Sequence, residues 1–332
     1  MNFNNRIYES YLAGNTSLTD MIKEFHTTEY ELKLYFKEHN LKYRRQYLYD
    51  TTVHTFFDTI DSEIKAYLLG FYFADGGIYK GMLKISIGEE DREIIELFKS
   101  FISPNRKIRK INEQTNKKTG YVSKPMVAID IKSDYLCERL EKYGMGHRKT
   151  YETTTALNMI PDEFMIDFIR GYFDGDGTVC VTSSKKPYNK KNGETTTFNY
   201  QNYNWSIISK RSEHLNIIKS FLNRKYDIHS NIINDKKGNF LIEINRKKDF
   251  KKIMEILYKG KKYYLKRKLQ KYLSYNIKPD KPKILKYFNG SIISRFDSLT
   301  NAGKDAGITP QGIKVRIKKK LNVNGYTWGY EM

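Results

Sequence analysis

Residues 68–76 read Leu68-Leu69-Gly70-Phe71-Tyr72-Phe73-Ala74-Asp75-Gly76, and residues 169–177 read Ile169-Arg170-Gly171-Tyr172-Phe173-Asp174-Gly175-Asp176-Gly177. Each is an apolar, helix-like run that ends in an aspartate and a glycine. Small residues recur at every fourth place, Ala66, Gly70 and Ala74 in the first copy and Gly171 and Gly175 in the second. That spacing puts them on one face and lets two helices lie side by side with close backbone approach. A helix C-terminus carries partial negative charge on its unpaired carbonyls, so an aspartate there is disfavoured by roughly 0.3–1 kcal/mol. Gly76 and Gly177 are expected to stop the helices in a left-handed conformation, with Asp75 and Asp176 in the last turns. Pairing the helices then gathers two carboxylates and several carbonyl oxygens at one end, a cluster stabilised by a hard cation.

These segments resemble the LAGLIDADG motif of homing endonucleases, and the chain is similar to single-chain members that carry both copies. The resemblance covers roughly residues 61–275. It implies that the last aspartates of the motifs, Asp75 and Asp176, are metal-binding catalytic acids, with Mg²⁺ or Mn²⁺ as cofactor and backbone carbonyls near Ala74 and Gly175 completing the shell. It also implies cleavage of both strands across the minor groove, leaving short 3′ overhangs, and a basic residue late in each half beside the reactive centre. The matching residues are Lys149 and Lys268, placed through the pairs Arg148-Lys149 and Arg267-Lys268, and the adjacent Lys266 leaves the second register open. The first copy departs at its sixth letter, where Phe73 stands in place of the acid that Asp174 supplies in the second.

The duplication extends past the motifs. Leu83-Lys84-Ile85-Ser86-Ile87 matches Trp205-Ser206-Ile207-Ile208-Ser209 as a strand. Phe98-Lys99-Ser100-Phe101 matches Ile218-Lys219-Ser220-Phe221 in an amphipathic helix, and Ala128–Lys132 aligns with Glu243–Lys247 as a second strand. Each half reads helix, hairpin, helix, hairpin, helix. The expected fold is α+β: two pseudo-symmetric αββαββα halves, 61–149 and 161–275, with paired motif helices and DNA-facing antiparallel sheets. Pro161-Asp162-Glu163 is expected to start the second motif helix, and an insertion from Lys185 to Thr197 to extend a hairpin tip.

Two small helical modules flank this core. Residues 1–50 hold three short helical stretches, the third opening at Thr27-Thr28, and a basic tail Lys42-Tyr43-Arg44-Arg45. They are similar to a resolvase-type helix-turn-helix, with an ordinary three-helix unit as the alternative. Lys278-Pro279-Asp280-Lys281-Pro282-Lys283 reads as a linker, and residues 290–332, with two short helices and Gly325-Tyr326-Thr327-Trp328, resemble the modular DNA-binding repeats appended to homing endonucleases.

The formal charge of +21, from 59 Lys and Arg against 38 Asp and Glu, calls for a polyanionic partner, first of all double-stranded DNA. Contacts are expected on outward hairpin faces, through Lys80, Lys84, Lys107, Arg109, Lys124, Lys185, Lys186, Lys190 and Lys191, and through Arg44 and Arg45 of the first module. No apolar run approaches a membrane span, the start lacks a secretory pattern, and Cys137 and Cys180 form no metal motif, so the expectation is a cytoplasmic protein of a bacterial or phage-infected cell, or of an organelle. Two motif copies in one chain favour a monomer. An intron RNA maturase or a DNA-binding regulator on the same scaffold is the rival, with intron RNA then a partner. Gly77-Ile78-Tyr79 is no GIY-YIG motif, because the second element lacks its tyrosine, and the six histidines form no HNH set.

Overall fold

The computed structural model describes residues 3–115, 119–120, 122–145, 157–189, 193–277 and 282–331. Lys149, Lys190 and Lys191 lie outside the described residues. The chain divides into two compact units, Met1–Tyr275 and Asn276–Met332.

The first unit opens with α1 (Asn5–Ala13), α2 (Leu18–Glu24), α3 (Glu29–Glu38) and α4 (Arg44–Asp50). Ser17 with Asp20 and Thr28 with Glu31 form reciprocal capping boxes that start α2 and α3. Tyr11, Met21, Leu32 and Phe36 make a small core of their own. The expected basic tail is instead the first turn of α4: the Arg44 guanidinium lies against Gly14, where an added Cβ would come within 2.4 Å of it, and Arg45 is exposed.

The first half then runs α5 (Glu63–Asp75), β1 (Gly76–Tyr79), β2 (Met82–Gly88), α6 (Arg92–Ile102), β3 (Arg109–Ile111), β4 (Met126–Lys132) and α7 (Asp134–Lys142). The second runs α8 (Met165–Asp176), β5 (Gly177–Asn189), β6 (Thr195–Ser209), α9 (Glu213–Tyr226), β7 (Asn231–Asn234), β8 (Phe240–Ile244) and α10 (Lys247–Tyr258), followed by α11 (Lys266–Leu273). The sheet orders are β1-β2-β4-β3 and β5-β6-β8-β7, all neighbours antiparallel, so one topology is drawn twice.

The registers agree as well. Gly76 pairs with Ile85 and Gly177 with Ile207, as the matched strand sequences require. The second strand match needs a correction. Ile85 faces Ile129 and Ile207 faces Ile242, so Asp130 corresponds to Glu243, and the expected alignment of Ala128 with Glu243 is two residues out of step. A slip of two leaves the inward and outward faces unchanged, which is why the hydrophobic alternation did not expose it.

Each sheet buries one face under amphipathic helices. In α6 the buried residues are Ile94, Ile95, Phe98 and Ile102, and in α9 Leu215, Ile218 and Leu222 recur at the same helical spacing. Leu83, Ile85 and Ile87 turn inward from β2, as Trp205 and Ile207 do from β6. Burying side chains of this size contributes roughly 1.5–3 kcal/mol each.

Pro161 opens the turn that leads directly into α8. Phe164 and Met165 donate backbone N–H bonds to its carbonyl, α8 starts at Met165, and Asp162 is held by Arg224 at 2.7 and 3.0 Å. The insertion takes the expected form, since β5 and β6 pair as far as Asn189 and Thr195, whereas β1 and β2 meet at a two-residue turn, Lys80-Gly81, with φ of 50° and 65°.

The second unit is a three-stranded sheet, ordered β10-β9-β11 from β9 (Ile284–Phe288), β10 (Ser291–Phe296) and β11 (Tyr326–Tyr330), with α12 (Leu299–Asp305) and α13 (Pro310–Lys318). Ile284, Ala302, Ile313 and Trp328 form its core, which therefore includes a residue ahead of the expected start at 290.

Candidate active site at the paired helix ends

α5 and α8 lie together through their glycines. A Cβ added at Gly70 would stand 2.0 Å from the Phe168 carbonyl oxygen, and one at Gly171 would stand 2.0 Å from the Tyr67 carbonyl oxygen. Carbonyl edge therefore meets carbonyl edge across a pseudo-two-fold axis, and no larger residue fits at either place.

One turn on, the axis reaches Ala74 and Gly175. A Cβ at Gly175 would lie 2.3 Å from Ala74 Cβ and 2.8 Å from Asp75 Oδ2, so the Asp75 carboxylate sits directly over Gly175, the residue before Asp176. Both helices end at their aspartate. Asp75 is exposed and Asp176 half-buried. The Asp75 carboxylate thus lies at the joint C-terminus of the two helices, beside the residue that precedes Asp176.

The glycines that follow are not left-handed. Gly76 has φ −83° and ψ 162°, and Gly177 has φ −84° and ψ 158°, an extended conformation that passes straight into β1 and β5. Glycine is needed there for space: a Cβ would strike the Tyr72 ring at 2.0 Å or the Phe173 ring at 2.1 Å.

Among the described residues no group of three or more His, Cys, Asp or Glu side chains stands ready to hold a metal ion. The candidate donors, the carboxylates of Asp75 and Asp176 and the nearby backbone carbonyls, are all oxygen. That suits a hard divalent cation such as Mg²⁺, which keeps much of its water and takes one or two carboxylates together with substrate phosphate.

Lys268 is the basic residue brought to this place. It is buried, donates from Nζ to the Gly177 carbonyl and lies 5.3 Å from the centre of the Phe173 ring. Burial depresses its pKa to about 8. Its neighbours turn elsewhere: Arg267 pairs with Asp91 at 2.6 Å and Lys266 with Glu93 at 3.1 Å. Of these three adjacent basic residues, Lys268 is the one whose ammonium reaches the end of α8.

A polar stripe that sequence reading passed over runs along α8. Asp167, Arg170 and Asp174 are buried at helical spacing, where the equivalent positions of α5 are Ala66, Leu69 and Phe73. Arg170 donates to Asp167 at 2.6 Å, to Glu63 at 2.7 Å and to the Tyr263 carbonyl at 2.7 Å, and Lys261 also reaches Asp167 at 2.7 Å. Asp174 accepts from the Tyr67 hydroxyl at 2.9 Å, the Tyr258 hydroxyl at 2.6 Å and the Leu265 N–H at 2.7 Å. Burial raises Asp174 to about 6 against the lowering effect of those bonds. The signal was present in the sequence as charges at i, i+3 and i+7 of an apolar helix. Their partners are 84 to 94 residues away for Tyr258, Leu265 and Lys261.

The outward faces of the sheets differ. On the first, Lys84 faces Asp130 across the strands, Arg109 pairs with Asp130 at 2.8 Å, and Lys80 and Lys84 lie 5.3 and 5.0 Å from the Tyr79 ring centre. Lys107 is exposed, and exposed Lys124 stands 3.8 Å from Glu90. On the second, Asn202 bonds Ser184 at 3.0 Å and Asn204 lies 3.3 Å from Glu243 and Asn245. Toward its tip Lys185 and Lys186 are exposed beside Tyr188, Phe198 and Tyr200.

No protein-family model matches the chain, and no curated protein matches it. Its neighbours among solved structures are LAGLIDADG homing endonucleases and the LAGLIDADG domain of WhiA. The homing endonuclease I-WcaI bound to its DNA recognition sequence is 19% identical over 64% of this chain and 87% of that one, with a TM-score of 0.44. The meganuclease I-AabMI bound to uncleaved DNA is 14% identical over 63% and 88%, with a TM-score of 0.43. The N-terminal LAGLIDADG domain of DUF199/WhiA is 16% identical over 62% and 84%, with a TM-score of 0.37. Among the described residues, no helix is long and apolar enough to cross a membrane.

Proposed function

We propose that the chain is a metal-dependent endonuclease that cuts both strands of duplex DNA at a specific site, acting as a monomer. The supporting observation is that α5 and α8 both end at an aspartate and pack so closely there that the Asp75 carboxylate lies over Gly175, the residue before Asp176. Two acids at helix ends oppose the helix dipoles, a cost of roughly 0.3–1 kcal/mol each that a structural role leaves unexplained.

Asp75 and Asp176, with the carbonyls near Ala74 and Gly175, would hold Mg²⁺ or Mn²⁺, which when bound supplies charge neutralisation at the scissile phosphate and an acidified water. The chain's own part is positional. One carboxylate comes from each half, so the pseudo-two-fold axis of the protein can be laid on that of the duplex. Lys268, with its pKa near 8, holds a proton at neutral pH and sets a positive charge beside the centre. Lys149 is its proposed counterpart in the first half.

The sheets present polar and basic outward faces suited to DNA, with lysine and arginine on phosphates and amide and hydroxyl groups on base edges. Residues 1–50 and the C-terminal unit are proposed to add further DNA contacts.

The test is cleavage of a randomised duplex library with Mg²⁺ by wild type, Asp75→Asn and Asp176→Asn, with the cut ends sequenced. Specific double-strand cuts that the substitutions abolish or reduce to nicks support the reading. Recovery of bound DNA or RNA without any cutting replaces it with a binding function on the same scaffold.

A further inference from the structure

Asp174 occupies the last turn of α8, two residues before Asp176, with 1% of its surface exposed. Its Oδ1 accepts from Tyr258, and its Oδ2 accepts from Tyr67 and from the backbone of Leu265. Leu265 is the N-cap of α11, and its carbonyl accepts the Lys268 N–H at 3.1 Å, which fixes that lysine one turn away. The Lys268 ammonium then returns to the Gly177 carbonyl and the Phe173 ring, on either side of Asp174 in sequence. A closed circuit results: Asp174 grips the start of α11, and the lysine at its first turn grips the end of α8.

The equivalent position in the first half has different chemistry. Phe73 lies with its ring centre 5.7 Å from Phe168, 5.0 Å from Tyr172 and 5.0 Å from His214. Phe168 is itself the equivalent of Tyr67, so one cross-helix contact is ring against ring in one half and hydroxyl to carboxylate in the other. A phenyl ring cannot accept a backbone N–H in the manner of a carboxylate.

We propose that Asp174 is a positioning residue that holds α11 and Lys268 against the end of α8, so that the centre served by Lys268 is set in advance and the two strands are cut at unequal rates. This rests on the nuclease reading.

The test uses the full chain and a duplex recovered from the library by cleavage or by binding, each strand labelled separately. Wild type, Asp174→Asn and Tyr258→Phe are compared under single-turnover conditions, while amine acetylation followed by mass spectrometry reports the exposure of Lys268. For Asp174→Asn, one strand is expected to slow ~10-fold or more and the other less than ~3-fold, as for a group displaced by a fraction of an ångström. Nicked product then accumulates, DNA affinity stays within ~2-fold and Lys268 acetylates ~10-fold faster, the readout that marks positioning rather than binding. Tyr258→Phe moves the same quantities less and stands in if Asp174→Asn does not fold. Equal slowing of both strands with unchanged Lys268 acetylation overturns the proposal. If wild type binds DNA and cuts neither strand, the nuclease reading falls, and the positioning claim then stands or falls on acetylation alone.

Discussion

The two halves of the core share a strand order and a register, yet they fasten their motif helices differently. α5 offers Ala66, Leu69 and Phe73 where α8 offers Asp167, Arg170 and Asp174. The first set is held by packing. The second is held by ion pairs and hydrogen bonds to α5, to the end of α10 and to the segment that leads into α11, every one of them directional. Packing constrains shape and volume, whereas a buried carboxylate with three donors constrains direction as well. A duplicated fold can thus keep one architecture while fastening one half by shape and the other by directed bonds as well.

The largest effect is expected where the halves are still equivalent. Gly70→Ala and Gly171→Ala each drive a methyl to 2.0 Å from a carbonyl oxygen of the opposite helix, and each should leave little folded protein. Gly77→Ala, with nothing within 4 Å, is the control. Thermal unfolding checks this, and a marked inequality between the two glycines would break the symmetry assumed for the helix pair.

Arg170→Leu gives α8 the residue that α5 carries at Leu69. The substitution strands Asp167 and Glu63 without their shared guanidinium, so we expect a loss of roughly 3–5 kcal/mol in urea unfolding. A variant as stable as wild type would mean that the polar stripe and the apolar one are interchangeable.

Acidification sharpens the contrast further, because two buried groups oppose each other. Burial lowers His214 to about 4 from its usual 6.5, so its neutral form favours the fold above pH 6.5 and that contribution is lost as pH falls toward 4. Asp174 is raised to about 6 from 3.8, so its contribution is full below pH 3.8 and is lost as pH rises through 6. Between pH 4 and 6 the two slopes cancel in part, each amounting to at most about 1.4 kcal/mol per pH unit. Relative to wild type, His214→Gln should gain stability as pH falls through this window and Asp174→Asn should lose it. Denaturant titrations at half-unit steps read both signs.

Much of this plan was legible in the sequence, because period and duplication are local signals. The motif helices, the strand pair from Leu83 and Trp205, and the long second hairpin all follow from them. What escaped reading depends on distant partners. Lys266 and Arg267 turn away from the centre only because Glu93 and Asp91 wait 173 and 176 residues earlier in the chain. The extended form of Gly76 and Gly177 follows from the Tyr72 and Phe173 rings beside them, a matter of side-chain direction that a glycine in sequence does not announce. The candidate acids were visible at once, while the anchor that organises their surroundings was visible only as an unexplained charge.

The smallest expected effect concerns the outward faces. Removing Lys84 and Arg109 together should lower the slope of log affinity against log salt by about 2, whereas Asn202→Ala and Asn204→Ala should leave the slope unchanged and relax sequence preference. Binding measured across a salt series separates the two, and equal slopes for both pairs would mean that the sheets read DNA alike.

The pairing of α5 with α8 also sets a schedule for synthesis. α5 is complete at Asp75, but the helix that covers it begins only at Met165. At roughly 5–20 residues per second, about 5–20 s pass before its partner is made. During that interval a helix with eight residues destined for burial has no mate within its own chain. Other ribosomes on the same message carry identical first halves, each able to present the same glycine face. Tandem duplication therefore brings a hazard of pairing between nascent chains, and the speed of translation through the first hairpins and α7 becomes part of what makes the chain fold as one molecule.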